Sequence, residues 1–267
     1  VTLRRPLKEG WEGYVGAAFS YNQQSIAGAA QANDRWEERR QELHVKATAS
    51  RLWASGLRIG GGMESFLRRY ENRYEWQEGE SEGKVRPVVS AAFLSATWFP
   101  WERLKAEASV RAEHTGLDKR ISFSPRVEVD GYVGDAVLSA TVGRYTQQAE
   151  FRYLALRLDL NSSTCWQYNL GVQYERGGRF GKAEVYYKDY DRLPLWEGTS
   201  LTANGYGHSA GLDLFFLDRA SLKNVEYRLS YTYNLSRRRY LEYTELTTPQ
   251  YATRHNASFV FKWSIPR

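Results

Sequence analysis

VEYRLSYTYNL, the stretch from Val225 to Leu235, alternates between two kinds of side chain. Its odd-numbered positions carry valine, leucine and tyrosine, whereas its even-numbered positions carry glutamate, arginine, serine, threonine and asparagine. A β-strand repeats every two residues, so this stretch predicts a strand with one apolar face and one polar face. A soluble sheet buries its apolar face in a core, whereas a transmembrane barrel turns that face outward to lipid.

The same alternation recurs in twelve segments of the 267-residue chain, which follow one another in pairs. Most of them contain ten or more residues, which is close to the ~9–11 that a tilted membrane strand needs. The segments are Trp11–Tyr21, Leu43–Leu52, Leu57–Arg69, Val85–Phe99, Leu104–Glu113, Ser122–Val133, Ala136–Tyr145, Trp166–Arg176, Phe180–Tyr190, His208–Leu217, Val225–Leu235 and Asn256–Trp263.

The connections between these segments are alternately short and long. Gly134-Asp135 is one of the short links and is a dipeptide typical of tight turns. Outer-membrane barrels show this asymmetry, with tight turns facing the periplasm and long loops facing outside. The chain is therefore predicted to be all-β, an antiparallel transmembrane β-barrel of about twelve strands. The predicted loops are Gln77–Gly83, Gln147–Thr164, Leu193–Gly205 and Arg238–His255.

The composition agrees with a membrane crossing by strands. Aromatic residues make up 15% of the chain, including 19 tyrosines and 9 tryptophans, and such rings favour membrane interfaces. The uncharged and largely apolar run Pro87–Trp101 is shorter than the ~20 apolar residues that a membrane-spanning helix requires. Any crossing is therefore expected to use strands.

Several functional classes receive no support from the residues. The formal charge is +6, but the lysines and arginines are interleaved with acidic residues along the strands. No nucleic-acid partner is therefore expected. No Ser/His/acid set can be assembled from the sequence, and the chain is not expected to be an enzyme. Neither a metal site nor another cofactor is predicted, because the cysteine is alone and the histidines are scattered. These residues are Cys165, His44, His114, His208 and His255.

Two other architectures remain open. A soluble β-sheet binding module would show the same alternation. However, the predicted outward faces are almost free of charge, while the opposite faces carry enough charged residues to line a wide, wet or plugged lumen. A free-standing twelve-stranded pore for passive diffusion of solutes would have both of these faces.

Short motifs of glycine and aromatic residues follow one another between Ser122 and Trp263. In kind, order and spacing they resemble strands of the TonB-dependent outer-membrane receptor family. Residues before Ser122 fit that family only as generic barrel hairpins. The motifs are Ser124-Pro125-Arg126, Gly143-Arg144-Tyr145-Thr146-Gln147, Tyr168 with Gly171 and Tyr174, Tyr186-Tyr187-Lys188-Asp189-Tyr190, Gly207–Phe215, Leu229–Tyr233, and Ala252 with His255.

The resemblance implies a receptor and transporter in the outer membrane of a Gram-negative bacterium, which imports a scarce nutrient such as a metal chelate, a cofactor or a glycan. Receptors of this family have about 22 strands around an N-terminal plug, and a TonB box that contacts the inner-membrane energy transducer. The expected partners are outer-membrane lipid, a plug domain, the TonB complex and a small-molecule or oligosaccharide ligand. Residues 1–267 are expected to form a single barrel domain, the middle portion of such a barrel without its plug and terminal strands.

Ligands of this family approach through the outer loops, so the resemblance points to polar and aromatic residues at the outer strand ends. The run Arg237–Arg239 leaves the membrane at that end, where it would contact lipid headgroups, solvent or an anionic ligand. The candidate ligand-binding residues are Tyr145, Gln147, Gln148, Tyr153, Trp196, Tyr206, His208, Arg237 and Tyr251.

Overall fold

The computed structural model describes residues 1–28, 34–117 and 120–265. Within these ranges it has fifteen strands, a short helix α1 at Phe151–Leu156 and a 3-10 turn at Lys8–Gly10. None of the helices described is long and apolar enough to cross a membrane. The strands are β1 Thr2–Pro6, β2 Trp11–Ala27, β3 Arg35–Leu52, β4 Leu57–Trp76, β5 Gly79–Val85, β6 Val88–Trp101, β7 Leu104–Thr115, β8 Ile121–Val133, β9 Ala136–Gln147, β10 Ser163–Arg176, β11 Arg179–Glu197, β12 Ser200–Asp218, β13 Val225–Tyr240, β14 Tyr243–Thr247 and β15 His255–Trp263.

These strands belong to one sheet in which strands adjacent in the chain pair antiparallel, so the predicted all-β antiparallel fold is confirmed. Two long strands each have two partners on one side. β4 pairs with β6 along its first half and with β5 along its second half. β13 pairs with β15 near its start and with β14 near its end. The sheet is not closed, with β1 at one edge and β14 and β15 at the other.

The outward face of the sheet is an exposed apolar band. Residues paired across neighbouring antiparallel strands point to the same face. Leu170 on β10 lies between Ala140 and Val185 in such a row, and 60% of its surface is exposed. Soluble monomers rarely expose apolar patches larger than a few hundred Å². A face of this kind is suited to lipid rather than to water.

The predicted short connections lie at one end of the strands, and the predicted long connections lie at the other end. Gly134 and Gly177 both adopt a positive φ in these turns, which glycine allows without steric cost. Trp11 and Trp53 meet edge to face beside the turn between β3 and β4, with ring centroids 6.1 Å apart. The opposite end of the strands, where the predicted long connections lie, is called the mouth below.

Three short strands and several strand ends differ from the predicted pattern. β1 was not predicted, β5 occupies most of the predicted loop Gln77–Gly83, and β14 lies inside the predicted loop Arg238–His255. The prediction of a loop at Leu193–Gly205 is also wrong, because β11 and β12 continue through it to a tight hairpin at Gly198. The register shifts twice between Asp191 and Leu195, so the two-residue alternation is interrupted there while the strands continue to pair.

The connection between β9 and β10 turns inward across the polar face of the sheet. This inward segment, residues 148–162, contains α1 and buries Leu154 and Leu160. Its apolar side chains pack against Tyr70 on β4 on one side and Leu201 on β12 on the other. Because two strands so distant in the sheet contact one segment, the polar face is the concave face.

Candidate functional site

A cavity of about 540 Å³ lies on the concave face at the mouth. It is bounded by the inward segment, the mouth ends of β9, β10 and β11, and the hairpin between β13 and β14. We call it the mouth cavity. Six tyrosines line it, together with the charged residues Arg152, Glu150, Arg238 and Glu242. The tyrosines are Tyr145, Tyr153, Tyr190, Tyr240, Tyr243 and Tyr251.

A single row of residues paired across five strands forms one wall of this cavity. Tyr145 on β9 pairs with Cys165 on β10, which pairs with Tyr190 on β11. The row continues through Gly207 on β12 to Arg238 on β13. Paired residues share a face, so these five positions from five strands point together into the concavity.

Gly207 makes room for the side chain of Arg238. A Cβ atom at Gly207 would lie 2.5 Å from the Arg237 carbonyl oxygen and 2.8 Å from the Arg238 Cγ atom, closer than such atoms normally approach. With only hydrogen there, the guanidinium lies over the Tyr190 ring, 4.2 Å from its centroid. One guanidinium nitrogen also donates a hydrogen bond of 2.9 Å to the Tyr251 hydroxyl. Arg238 is thus held between two aromatic rings.

Arg238 retains unused hydrogen-bonding capacity. No carboxylate of the described residues forms an ion pair with it, and its buried Nε atom has no acceptor. By contrast, Arg152 in the same cavity pairs with Glu150 at 2.9 Å. The buried Oε1 atom of Gln148, which also lines the cavity, has no donor. A buried polar atom without a partner is costly, so a ligand that supplied an acceptor for Arg238 would be favoured.

Two tyrosines of the mouth cavity, Tyr153 and Tyr240, have a raised pKa and are neutral near neutral pH. Burial raises the pKa of Tyr153 on the inward segment above its ordinary value. Burial also raises the pKa of Tyr240, beyond the apolar band, to about 12. Neutral phenols both donate and accept hydrogen bonds, and their rings stack on flat ligands.

The structure brings five of the predicted ligand-binding residues together. Tyr145 and Gln147 reach the mouth cavity from the end of β9, and Gln148 and Tyr153 belong to the inward segment. Tyr251 closes the far side through the connection between β14 and β15.

The other four predicted residues lie elsewhere. Trp196 packs against the buried cluster around Leu201. Tyr206, His208 and Arg237 are out of phase with Gly207 and Arg238, and therefore lie on the outward face. His208 and Arg237 line a separate hollow of about 250 Å³ there.

Several residues of the mouth cavity were not among the predicted ones. Arg238 could have been found, because extending the alternation of Val225–Leu235 by three residues puts it on the polar face and Arg237 on the apolar face. Tyr190 could also have been found from the parity of its strand. Tyr240 and Tyr243, which stack at 5.6 Å, carry no such signal because they flank an unpredicted hairpin.

A second cavity, of about 580 Å³, lies on the other side of the inward segment. Its arginines are already paired: Arg68 contacts Glu42 at 2.5 Å, and Arg111 contacts Glu113 at 2.7 Å. Satisfied ion pairs leave less to offer a ligand than the free guanidinium of Arg238. Across the described ranges, no group of three His, Cys, Asp or Glu residues could hold a metal ion.

Solved structures with this architecture are outer-membrane receptors and transporters. The copper transporter OprC is 14% identical over 88% of this chain and 45% of its own, with a TM-score of 0.71. The ferric yersiniabactin uptake receptor FyuA from Yersinia pestis is 14% identical over 98% of this chain and 46% of its own, with a TM-score of 0.74. The alcaligin receptor FauA from Bordetella pertussis is 12% identical over 100% of this chain and 50% of its own, with a TM-score of 0.74.

All three are TonB-dependent outer-membrane receptors, so the predicted resemblance to that family is confirmed at the level of the fold. The chain spans about half the length of these proteins. No protein-family model and no curated protein matches the sequence. The likeness therefore rests on three-dimensional structure at low sequence identity.

Proposed function

We propose that this chain forms part of the barrel wall of a TonB-dependent outer-membrane receptor, which imports a scarce nutrient such as a metal chelate, a cofactor or a glycan. The mouth cavity is the observation that carries the proposal. It lies at the end of the sheet where the long connections meet, on the concave side, and it combines six phenols with an unpaired arginine. In the whole protein, a plug and the TonB complex would complete the transporter.

The mouth cavity favours a ligand with a flat or ring-shaped body and an acidic or carbonyl oxygen. Tyrosine rings provide stacking surface at low cost in side-chain entropy, as they do in many recognition sites. The Arg238 guanidinium would donate to the ligand oxygen, since it has no carboxylate partner among the described residues. Carboxylate and phenolate chelates of metals, acidic cofactors and uronic sugars all carry such oxygens.

The test compares two adjacent arginines that point to opposite faces. The full chain and its Arg238→Gln and Arg237→Gln variants are folded in detergent and examined by equilibrium dialysis. The probes are radiolabelled ferric citrate, a ferric catecholate chelate and a neutral maltooligosaccharide. We expect Arg238→Gln to weaken binding of an acidic probe at least about tenfold, because a charge-assisted hydrogen bond is lost. Arg237→Gln should leave that binding unchanged.

Equal effects of both variants, or none from either, would contradict a site at Arg238. The transport step is tested in cells that express the whole protein. Uptake of the bound probe should stop when a protonophore removes the energy of the inner membrane. Uptake that persists would instead support a passive pore, and a monodisperse chain without detergent would support a soluble binding module.

A further inference from the structure

The mouth boundary of the apolar band can be located from two neighbouring cross-strand rows of outward residues. The row on the band side is entirely apolar or aromatic: Val142, Tyr168, Tyr187, Ala210 and Leu235. The next row towards the mouth is charged or interfacial: Arg144, Trp166, Asp189, His208 and Arg237. Tryptophan and charged side chains at the end of an apolar band mark the headgroup level of a membrane.

The outer hollow of about 250 Å³ lies at this boundary. Its sheet side is formed by the outward residues His208, Leu235 and Arg237 together with Asn234 and Ser236, which alternate with them along β13. Its other side is formed by Thr248, Ala252 and Arg254 from the connection between β14 and β15. Leu235 belongs to the apolar row, whereas His208 and Arg237 belong to the charged row. The hollow therefore spans the change from an apolar to a polar environment.

The basic groups of the outer hollow have no acidic partner within it. Among the residues that the structure describes, none forms an ion pair with Arg237 or Arg254, and none of the lining residues is acidic. The carboxylate in the same cross-strand row is Asp189, which pairs with His208 on the side away from Arg237. Arg239, two residues further on, already contacts Glu197 at 3.4 Å. The outer hollow thus keeps two unpaired guanidinium groups and one imidazole.

We propose that the outer hollow binds the phosphorylated headgroup of a lipid in the outer leaflet. Guanidinium groups match phosphate oxygens in a bidentate geometry, and the Thr248 hydroxyl adds a neutral donor. Leu235 and the apolar row below it would contact the first carbons of an acyl chain. This inference rests on the proposed outer-membrane location, because the side chains of His208, Leu235 and Arg237 point away from the lumen.

A lipid fits this position better than free phosphate. A free anion would need only the cations, which could lie anywhere on the surface. Here the cations sit one row above the apolar band, where a headgroup and its acyl chains meet them together. Outer-leaflet lipid A carries phosphate groups directly on a sugar that bears acyl chains, and its chemistry matches both parts of the hollow.

Native mass spectrometry of the full chain in detergent micelles tests the proposal. The probes are lipid A with two phosphates, the same lipid after removal of its phosphates, and inorganic phosphate. We expect the unmodified chain to retain the bisphosphorylated lipid. The double variant Arg237→Gln/Arg254→Gln should retain it at least about tenfold less. Arg238→Gln, which alters the opposite face, should retain it fully.

Each outcome decides between the alternatives. Equal retention by the double variant, or equal binding of the dephosphorylated lipid, would overturn the proposal. Binding of inorganic phosphate with no retained lipid would show a free-anion site and would also overturn it. Arg237→Lys/Arg254→Lys keeps the charges and should recover most of the retention, which separates recognition from misfolding. A chain that does not insert into vesicles would overturn the outer-membrane location itself, a failure distinct from loss of headgroup binding.

Discussion

The concave face has two walls that share one fold but differ in chemistry. The wall from β3 to β8 carries charged side chains that pair with one another, such as Glu64 on β4 with Arg111 on β7, and Lys105 on β7 with Glu128 at 2.7 Å. The wall from β9 to β13 is richer in glycine, serine, asparagine and tyrosine. It has ion pairs too, such as Lys182 with Glu184, but at its mouth end Arg238 has no carboxylate partner among the described residues. Most charged side chains of the first wall pair with one another, whereas the second wall keeps the Arg238 guanidinium free for a ligand.

The outward faces of the two walls are alike, so lipid contact does not explain this difference. Val110 and Leu94 pair across the first wall as Tyr168 and Tyr187 do across the second, all of them exposed. The contrast lies only on the concave side. We infer that the first wall stabilises the sheet through its polar network and that the second is open for recognition.

The largest effect is expected from breaking the network of the first wall. Glu64 accepts hydrogen bonds from Arg111 and His44 and lies 3.6 Å from Lys46. Glu64→Gln removes the negative charge that compensates Arg111 and Lys46 in a half-buried site, although Arg111 keeps its ion pair with Glu113. We expect the free energy of unfolding in detergent to fall by about 2–3 kcal/mol, measured by urea titration.

The matched control for Glu64→Gln lies on the second wall. Among the residues that the structure describes, Glu184 pairs with Lys182 alone, at 2.9 Å, and both side chains are more exposed. Glu184→Gln should cost less than about 1 kcal/mol, as exposed ion pairs usually do. Equal losses from the two substitutions would contradict the proposed division between the walls.

A smaller effect is expected from a glycine of the second wall. The Tyr186 ring packs directly over Gly211, and its hydroxyl donates to Asn234 at 3.2 Å. Gly211→Val would collide with that ring and with the Tyr233 carbonyl, so we expect a loss of about 2 kcal/mol from overpacking, by the same urea titration.

Gly171 provides the comparison for Gly211, because it also faces the concavity. Its nearest neighbours, the Ala183 carbonyl at 3.6 Å and the Glu184 Cγ atom at 3.9 Å, leave ordinary van der Waals space for a Cβ atom. Gly171→Val should change stability by less than about 0.5 kcal/mol. A loss as large as that of Gly211→Val would mean that the ring contact is not the cause.

The smallest effect is expected at Gly207, because it acts through another residue. Gly207→Ala should push Arg238 off the Tyr190 ring while keeping its charge in the mouth cavity. We expect acidic probes to bind a few-fold more weakly, a smaller change than for Arg238→Gln, in the same dialysis assay. The alanine also presses on the β13 backbone at Arg237, which should lower stability, but it affects the ligand through Arg238. Combining the two substitutions should therefore add little to the loss of binding. Additive effects would contradict that role.

Much of the sheet could be predicted because its signal is local. The alternation of Val225–Leu235 identified β13 with both of its faces, and the turn glycines marked the short connections. The hairpin at Gly198 and the strand β14 could not be predicted, because shifts in register between Asp191 and Leu195 and between Arg238 and Tyr240 interrupt the alternation. Their pairing depends on the backbone ladder, to which most side chains contribute no periodic pattern.

The predicted ligand-binding residues show that the sequence-based choice also failed to separate the two faces of a strand. The resemblance pointed to Tyr145, Gln147 and Tyr251, which the structure brings to one cavity. It pointed equally to Arg237 rather than Arg238, although the two side chains lie on opposite faces. Position along the chain indicated the correct end of the strand, and only the parity within the strand separates the lumen from the outside.

Local alternation was therefore enough to predict most strands, their two kinds of face and the end of the strands at which the long connections lie. Each of these depends on residues close in sequence. The row from Tyr145 to Arg238 depends on the register of five strands, over nearly a hundred residues of chain. The inward segment depends on packing between Leu154, Tyr70 and Leu201, which no local pattern records. Register and long-range packing are set by contacts between distant residues, and these contacts create the mouth cavity.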